Sequence, residues 1–491
     1  MRSSTSTQTA RSPFFSSFMI LALLLSLASV GCGNWAEFGN SPLNPHRSYS
    51  EGPAIGITTQ ANLIPGGIGA TFGSEVGVLV DFQGDYYVSS YDPEIQVYDH
   101  AGNWAGAYNL GVTGPRAAPY VASRAWGRTA TIFTGALGGG GGFHAIRVDK
   151  TVFPYTLTLM DSDAATGPSE SSPKRAKDGT FYICDFKGTV HRYSYSGGTL
   201  THMASLPLDH EVRGAIALYD ADPQFREEEV LVATTDGRFY VIDHTLSTII
   251  WSDTSGIGPA GLDNYYAGVT VAERGPLGAP APGAGPVALL PIAGNAAGTF
   301  AANSGKVRAL DLLLKAVAWE LTPSMTTPGH DAIEGSIAVL FEQPTPSSDS
   351  ENDTEQQDDG SIDRPDPDLG IGIDHDDDRV EIARKDYHAT FASTDHFLYG
   401  VDIVNGIEVW AYEMKTSGFD APVVDKVNVI YVGDGRSILH AVQGDSTCGG
   451  CPIWTDTSLA IGGATDIVKL GVTNRNALVV GTGTRAYALF Q

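Results

Sequence analysis

Two kinds of side chain in this 491-residue chain have types and spacings that could do chemistry. The stretch Tyr399–Trp410, YGVDIVNGIEVW, sets the carboxylate of Asp402 eight positions before Trp410, with Asn405-Gly406 between. A carboxylate beside an aromatic platform can hold a ligand, so the pair reads first as half of a site. Cys448-Gly449-Gly450-Cys451 is the second feature. Its spacing admits a turn-clamping disulfide, a redox pair or half of a zinc site. Pro452-Ile453-Trp454 continues as a strand where a thioredoxin-like pair would open a helix, and no second pair of ligands follows; this favours the clamp. Cys184, in TFYICDF, reads as a buried lone thiol.

A third candidate is acidic. Residues 342–381 hold 15 acids and two arginines, a net −13 that is half of the whole-chain −26. Asp363, Asp366, Asp368, Asp374 and Asp376 are oxygen ligands of the kind calcium takes, and they make weak calcium candidates. The Asp-x-Asp-x-Asp-Gly loop with a distal Glu is missing, so the stretch is expected to be a disordered, solvated insertion. The glycine run 138–142 and Ser304-Gly305-Lys306 lack the residues of a phosphate cradle. His330, Asp331 and Glu334 form a polar group in a loop, for which surface is the expectation. No motif of a hydrolase nucleophile or of a zinc protease occurs, and the acidic balance argues against a nucleic-acid partner.

The elements that must position these residues come from repetition. Tyr240–Trp251 (YVIDHTLSTIIW) and Arg308–Trp319 (RALDLLLKAVAW) place Asp243 before Trp251 and Asp311 before Trp319 at the spacing of Asp402 and Trp410. Each copy follows a short strand and a polar turn. Looser copies run through 86–104, 131–157, 180–200 and 428–454, and a final run, ALVVGTGTRAYALFQ, supplies two strands before the chain stops. Self-similarity at this period, built from short strands, predicts an all-β chain. The expected fold is an eight-bladed β-propeller of four-stranded antiparallel blades over 57–491. The last unit is incomplete, so the ring is expected to close by pairing N- and C-terminal strands, the missing strand lying within 57–77. The acidic 342–381 is then an insertion in the propeller, and the Gly/Pro-rich 272–286 is a long loop.

The Ala/Gly-Leu/Val-Asp-x-x-Thr/Asn-Gly-x-x-x-Trp pattern resembles the repeat of the pyrroloquinoline-quinone-like, quinoprotein-type propellers. Gly400-Val401-Asp402 with Asn405-Gly406 and Trp410 is the fullest copy, and Asn34–Ser48 (NWAEFGNSPLNPHRS) resembles the segment with which members begin. The resemblance implies that each Trp packs between blades and each Asp orders its hairpin, so Asp243, Trp251, Asp311, Trp319, Asp402, Gly406 and Trp410 are structural. It does not carry the cofactor over: many quinoprotein dehydrogenases set two adjacent cysteines against the quinone, and no such pair exists here. No catalytic residue and no cofactor is therefore expected.

The N-terminus reads as an export signal. Arg2 and Arg11 precede a twelve-residue apolar core, Met19–Val30, too short to span a bilayer. Ser29-Val30-Gly31-Cys32 resembles a bacterial lipobox, although Ser29 stands where Leu is usual. The organisation expected is a signal peptide at 1–31, a lipidated Cys32, and a tether over 32–56. Gly33, in place of Asp, implies an outer-membrane lipoprotein. The functional expectation is a non-catalytic, monomeric, lipid-anchored module that binds or scaffolds envelope proteins. The alternative from another class is a quinone- or calcium-dependent oxidoreductase using the central funnel.

Overall fold

The computed structural model describes residues 59–63 and, with gaps, 77–490. Outside the description lie 1–58, 64–76, 221–227, 274–284, 293–304, 325–332, 342–385, 457–466 and shorter pieces. Signal segment, Cys32, tether, calcium candidates and the 330–331 and 334 positions all fall there. The described residues belong to one compact unit, Gly33–Gln491.

Apolar, β-branched runs of four to nine residues, punctuated by Gly, Asp and Asn, favour strands over helices. Every regular element among the described residues is a strand. Eight sheets of four antiparallel strands form over 77–109, 120–163, 174–207, 217–253, 270–321, 338–413, 423–456 and 467–490. In the first seven the spatial order is the sequence order, so each sheet is a simple meander. The eighth is built differently. Ile467–Val472, Ala477–Thr482 and Ala486–Phe490 supply three strands, and Thr59–Leu63 pairs antiparallel with the last of them, Ala61 opposite Ala488. The strand missing from the end of the chain comes from its beginning, within the 57–77 window. The fifth sheet starts earlier than its sequence suggests: Thr270–Glu273 is its first strand, so positions 272 and 273 of the Gly/Pro-rich stretch belong to the sheet.

The core sits between sheets. One buried cluster joins Leu478, Val480 and Tyr487 of the eighth sheet to Leu79 and Tyr87 of the first and Ile132 of the second. Further clusters link the second sheet to the third, the third to the fourth, and so on to the seventh. Strands at the start of a sheet are buried along their length, as in Tyr120–Ser123, whereas last strands alternate or face solvent, as in Thr156–Asp163. Each of the first seven sheets also has a register shift between its third and fourth strands, at Gly400/Val401 in the sixth. A bulge there bends the last strand and re-aims the residue that follows. In the fourth to seventh sheets that residue is a tryptophan: Trp251, Trp319, Trp410 and Trp454.

Candidate functional site

Each motif aspartate caps the hairpin that follows it. Asp402 Oδ1 accepts from the backbone N–H of Val404 at 2.7 Å and of Asn405 at 3.1 Å. Asp311 Oδ1 accepts from Leu313 N at 3.0 Å and Leu314 N at 2.7 Å. Asp243 takes Thr245 N at 3.0 Å and also bonds Thr248 N, the Thr245 hydroxyl and Ser247 Oγ. Burial pushes the Asp243 carboxyl up, but these donors outweigh it and hold the group below the usual carboxylate range. Asp99 does the same in the first sheet, accepting from Ala101 N and Asn103 N. Turn amides near the tip, which no ladder partner reaches, find their acceptor in this oxygen.

The tryptophans look outward from their own sheet to the next one. Trp319 is 9% exposed, and its Nε1–H donates to Ile403 O at 2.8 Å, across to the sixth sheet. A Cβ built on Gly406 would lie 2.4 Å from the Trp319 ring, and Gly406 has φ +65°. That glycine meets two demands at once: a left-handed turn and a flat surface for the indole of the preceding sheet. Trp410 sits over Gly400 in its own sheet, where a Cβ would meet the ring at 2.1 Å, and its ring also lies against Gly450 of the seventh sheet. Small residues face the rings across the strand pair: Ala309 opposite Trp319, Gly400 opposite Trp410 and Ala441 opposite Trp454. Trp251 lies edge-on to Phe239 with centroids 5.8 Å apart. The carboxylate and indole of each motif therefore point to different partners, and no pair frames a shared pocket.

A second family of aspartates, not singled out by the repeat, is more deeply buried. Asp81, Asp185, Asp425 and Asp434 each start a tight turn and meet a ring six residues on. Tyr87 OH donates to Asp81 at 2.8 Å and Tyr431 OH to Asp425 at 3.2 Å. His191 and His440 approach Asp185 and Asp434 through Nε2 at 3.4 and 3.3 Å. Burial raises Asp185 and Asp434, but the His contacts and backbone N–H donors prevail, and both are held below the ordinary carboxylate value. The signal that could have found them is Asp-x5-Tyr/His, legible in DFQGDYY, DFKGTVH, DKVNVIY and DGRSILH.

Two polar clusters tie neighbouring sheets. Lys150, 5% exposed at its side chain, bonds Asp81 and lies 2.7 Å from Asp85 Oδ2, and Tyr155 OH reaches the same Asp85 oxygen at 3.2 Å. Burial raises the Asp85 carboxyl, Lys150 opposes this and Asp81 adds to it, with a net upward shift. Within the third sheet His191 Nδ1 and His202 Nε2 are 3.3 Å apart, and Tyr193 beside them shares a hydroxyl contact of 2.6 Å with Thr166, in the connection from the second sheet. Burial, and then His191, lower the His202 imidazole. Among the described residues no group of three or more His, Cys, Asp or Glu is arranged to hold a metal ion.

Cys451 opens the last strand of the seventh sheet, behind the Gly450 turn that receives Trp410; Cys448 lies outside the described residues. Cys184 is the one free cysteine among the described residues, fully buried in Phe181–Cys184, and burial pushes its thiol well up. It has no neighbouring cysteine in the sequence with which to face a quinone ring.

Four-stranded meanders that share cores in sequence order define the β-propeller class, and solved structures similar to this chain are propellers. They include BamB from Moraxella catarrhalis, at 14% identity and TM-score 0.50 over 89% of this chain and 98% of that one. Sqt1 from Saccharomyces cerevisiae matches at 8% identity and TM-score 0.54, covering 90% of this chain and 100% of its own. Sqt1 from Chaetomium thermophilum, bound to the N-terminus of the ribosomal protein L10, matches at 12% identity and TM-score 0.55 over 86% and 98%. No family model matches the chain, and no curated protein matches its sequence.

Proposed function

We propose that the chain is a closed, eight-bladed propeller that binds other proteins and is held at the bacterial envelope by a lipid on Cys32. The observation that carries the binding reading is how the motif residues are used. Asp243, Asp311 and Asp402 commit their oxygens to their own hairpins, and Trp319 and Trp410 to the next sheet, while the rims expose Phe153, Leu314 and Ile407 at 56, 70 and 60%. Polar chemistry turned inward and apolar side chains turned outward suit a scaffold better than an active centre. BamB, a β-propeller lipoprotein, and an L10-bound Sqt1 are consistent precedents of fold.

Ring closure gains support from the pairing of Thr59–Leu63 with Ala486–Phe490 and from the core shared by the eighth and first sheets. The repeat is of the quinoprotein type in its motif, without the quinone. A Cys448–Cys451 disulfide clamps the seventh hairpin beneath Trp410, in keeping with the absence of Cys451 from the free thiols. Chemical crosslinking of the full-length protein in intact cells tests the function. It is expected to recover one or a few envelope proteins in reproducible ratio. Recovery of none, or dye-linked dehydrogenase activity on addition of pyrroloquinoline quinone and calcium, would overturn it.

A further inference from the structure

One turn is built twice in this molecule, in the third and the seventh sheet, with a different partner each time. In both, an aspartate opens the turn between the second and third strands and a histidine follows six residues on, as DFKGTVH and DGRSILH. His191 turns Nε2 to Asp185 Oδ2 at 3.4 Å, and His440 turns Nε2 to Asp434 Oδ2 at 3.3 Å. The other oxygen of each carboxylate accepts a turn amide, from Thr189 at 2.8 Å and from Ile438 at 3.0 Å, which fixes its direction. An ionised carboxylate only accepts, so each neutral imidazole carries its proton on Nε2 and leaves Nδ1 as a bare lone pair.

In the seventh sheet a donor answers that lone pair. Tyr412 OH, from the last strand of the sixth sheet, meets His440 Nδ1 at 3.1 Å. In the third sheet a second imidazole stands there instead: His202 Nε2 lies 3.3 Å from His191 Nδ1. His202 also has a backbone hydrogen bond at Ala204 that favours its charged form, as a carbonyl acceptor does. His191 is buried at 3%, while His202 is half-buried in the outer strand Thr199–Pro207, so solvent reaches the pair from one side.

The spacing suits two ligands on one ion. Hydrogen bonds from N–H groups run about 2.7–3.2 Å, whereas two bonds of about 2.0–2.1 Å to a tetrahedral ion set their nitrogens roughly 3.3–3.4 Å apart. Asp185 stands behind His191 as the outer carboxylate that fixes the tautomer of a metal-bound imidazole and raises its basicity. Asp163 lies near enough for its charge to act on both His202 and Tyr193, a second negative charge beside a dication.

We infer that His191 Nδ1 and His202 Nε2 form a two-histidine site for a divalent ion of the zinc and copper class. Imidazole nitrogens select these ions over calcium and magnesium, which take oxygen. Among the described residues no third His, Cys, Asp or Glu completes the set, so water or an incoming donor fills the remaining positions and the site is open. It stands apart from the protein-binding reading and needs no partner.

The test strips the purified full-length protein with chelator, titrates it with copper(II) and reads the ion by electron paramagnetic resonance. The first equivalent is expected to couple to two imidazole nitrogens. His202→Gln still offers an N–H to His191 Nδ1, so its melting temperature is expected to hold. It should nevertheless lose one nitrogen coupling and bind about tenfold or more weakly. Asp185→Asn alters only the outer partner and should weaken binding about 10–100-fold with both couplings kept. His100→Ala, at an exposed histidine of the first sheet, should change neither spectrum nor affinity. The same spectrum and affinity in His202→Gln would place the ion elsewhere and overturn the inference. So would the absence of stoichiometric binding, in which case a shared proton bridges the pair. Should His202→Gln fail to fold, the wild type decides: one equivalent of zinc(II) is expected to shield His202 from diethyl pyrocarbonate, and unslowed modification there contradicts the site.

Discussion

Gly406→Ala is the substitution whose effect the geometry fixes most tightly. The new methyl must occupy a backbone of φ +65° and lie 2.4 Å from the Trp319 ring. An L-residue in the left-handed region costs about 1–2 kcal/mol. Overpacking against a ring held by its own hydrogen bond to Ile403 adds roughly 1–3 kcal/mol, giving a total of ~2–5 kcal/mol. At ~2.1 cal/mol/K per residue, a propeller of roughly 430 residues unfolds with an entropy near 0.9 kcal/mol/K, so the melting temperature should fall by about 2–5 °C. Differential scanning calorimetry of the purified protein reads this directly. Gly406→Asn separates the two causes, because Asn tolerates the left-handed region yet still collides. It is expected to recover only the conformational part. Combining Gly406→Ala with Trp319→Leu should cost less than the sum of the two, since the clash is removed. An unchanged melting temperature for Gly406→Ala, full stability for Gly406→Asn, or strict additivity would refute the interlock.

Asp402→Ala strands the Val404 and Asn405 amides and is expected to cost about 1–2 kcal/mol, read in the same calorimeter, whereas Asp402→Asn keeps an acceptor and costs less. Burial lowers the imidazoles of His144, His202 and His388, with Asp402 partly opposing the effect on His388. The unfolded chain therefore binds protons that the folded one refuses, and stability should drop as pH falls below about 6.5, with His388→Gln flattening the slope. Asp185 and Asp434 act lower down: their net depressed carboxyls stabilise above the ordinary value of 3.8, and that contribution is lost as pH falls through the folded value. Cys32→Ala should leave an unprocessed, larger form and change its membrane fractionation, checked by gel mobility and fractionation; unchanged size and partition contradict lipidation.

Much of the architecture was legible because large side chains recur where the geometry recurs. Trp251, Trp319 and Trp410 each follow a bulge in the last strand and a turn after the Asp, with Val241, Ala309 and Gly400 across the strand, so the spacing survives while the intervening residues drift. The closing strand, TQANL, has no pattern of its own and was placed only because the last unit lacked one. First strands such as Lys174–Arg175 and Val423–Val424 are two residues long, too short for any period to show. The buried aspartates escaped notice because their position tolerates substitutes: Thr234 and Ser393 start equivalent turns, bonding Arg238 and Phe397 through the backbone. The apolar rim was hidden by its own sequence. Leu312-Leu313-Leu314 reads as core, and only the Asp311 turn decides that one leucine goes in and two come out.

The proposed closure of the ring has a direct test in the antiparallel register of the eighth sheet. Ala61 lies opposite Ala488, at a separation that a disulfide can span. Ala61→Cys with Ala488→Cys, in a chain carrying a specific protease site within 342–385, is cleaved after mild oxidation and run on a non-reducing gel. If Thr59–Leu63 closes the ring, the two fragments stay joined until reductant is added. If they separate without reductant, the strands do not pair and the closed propeller is contradicted.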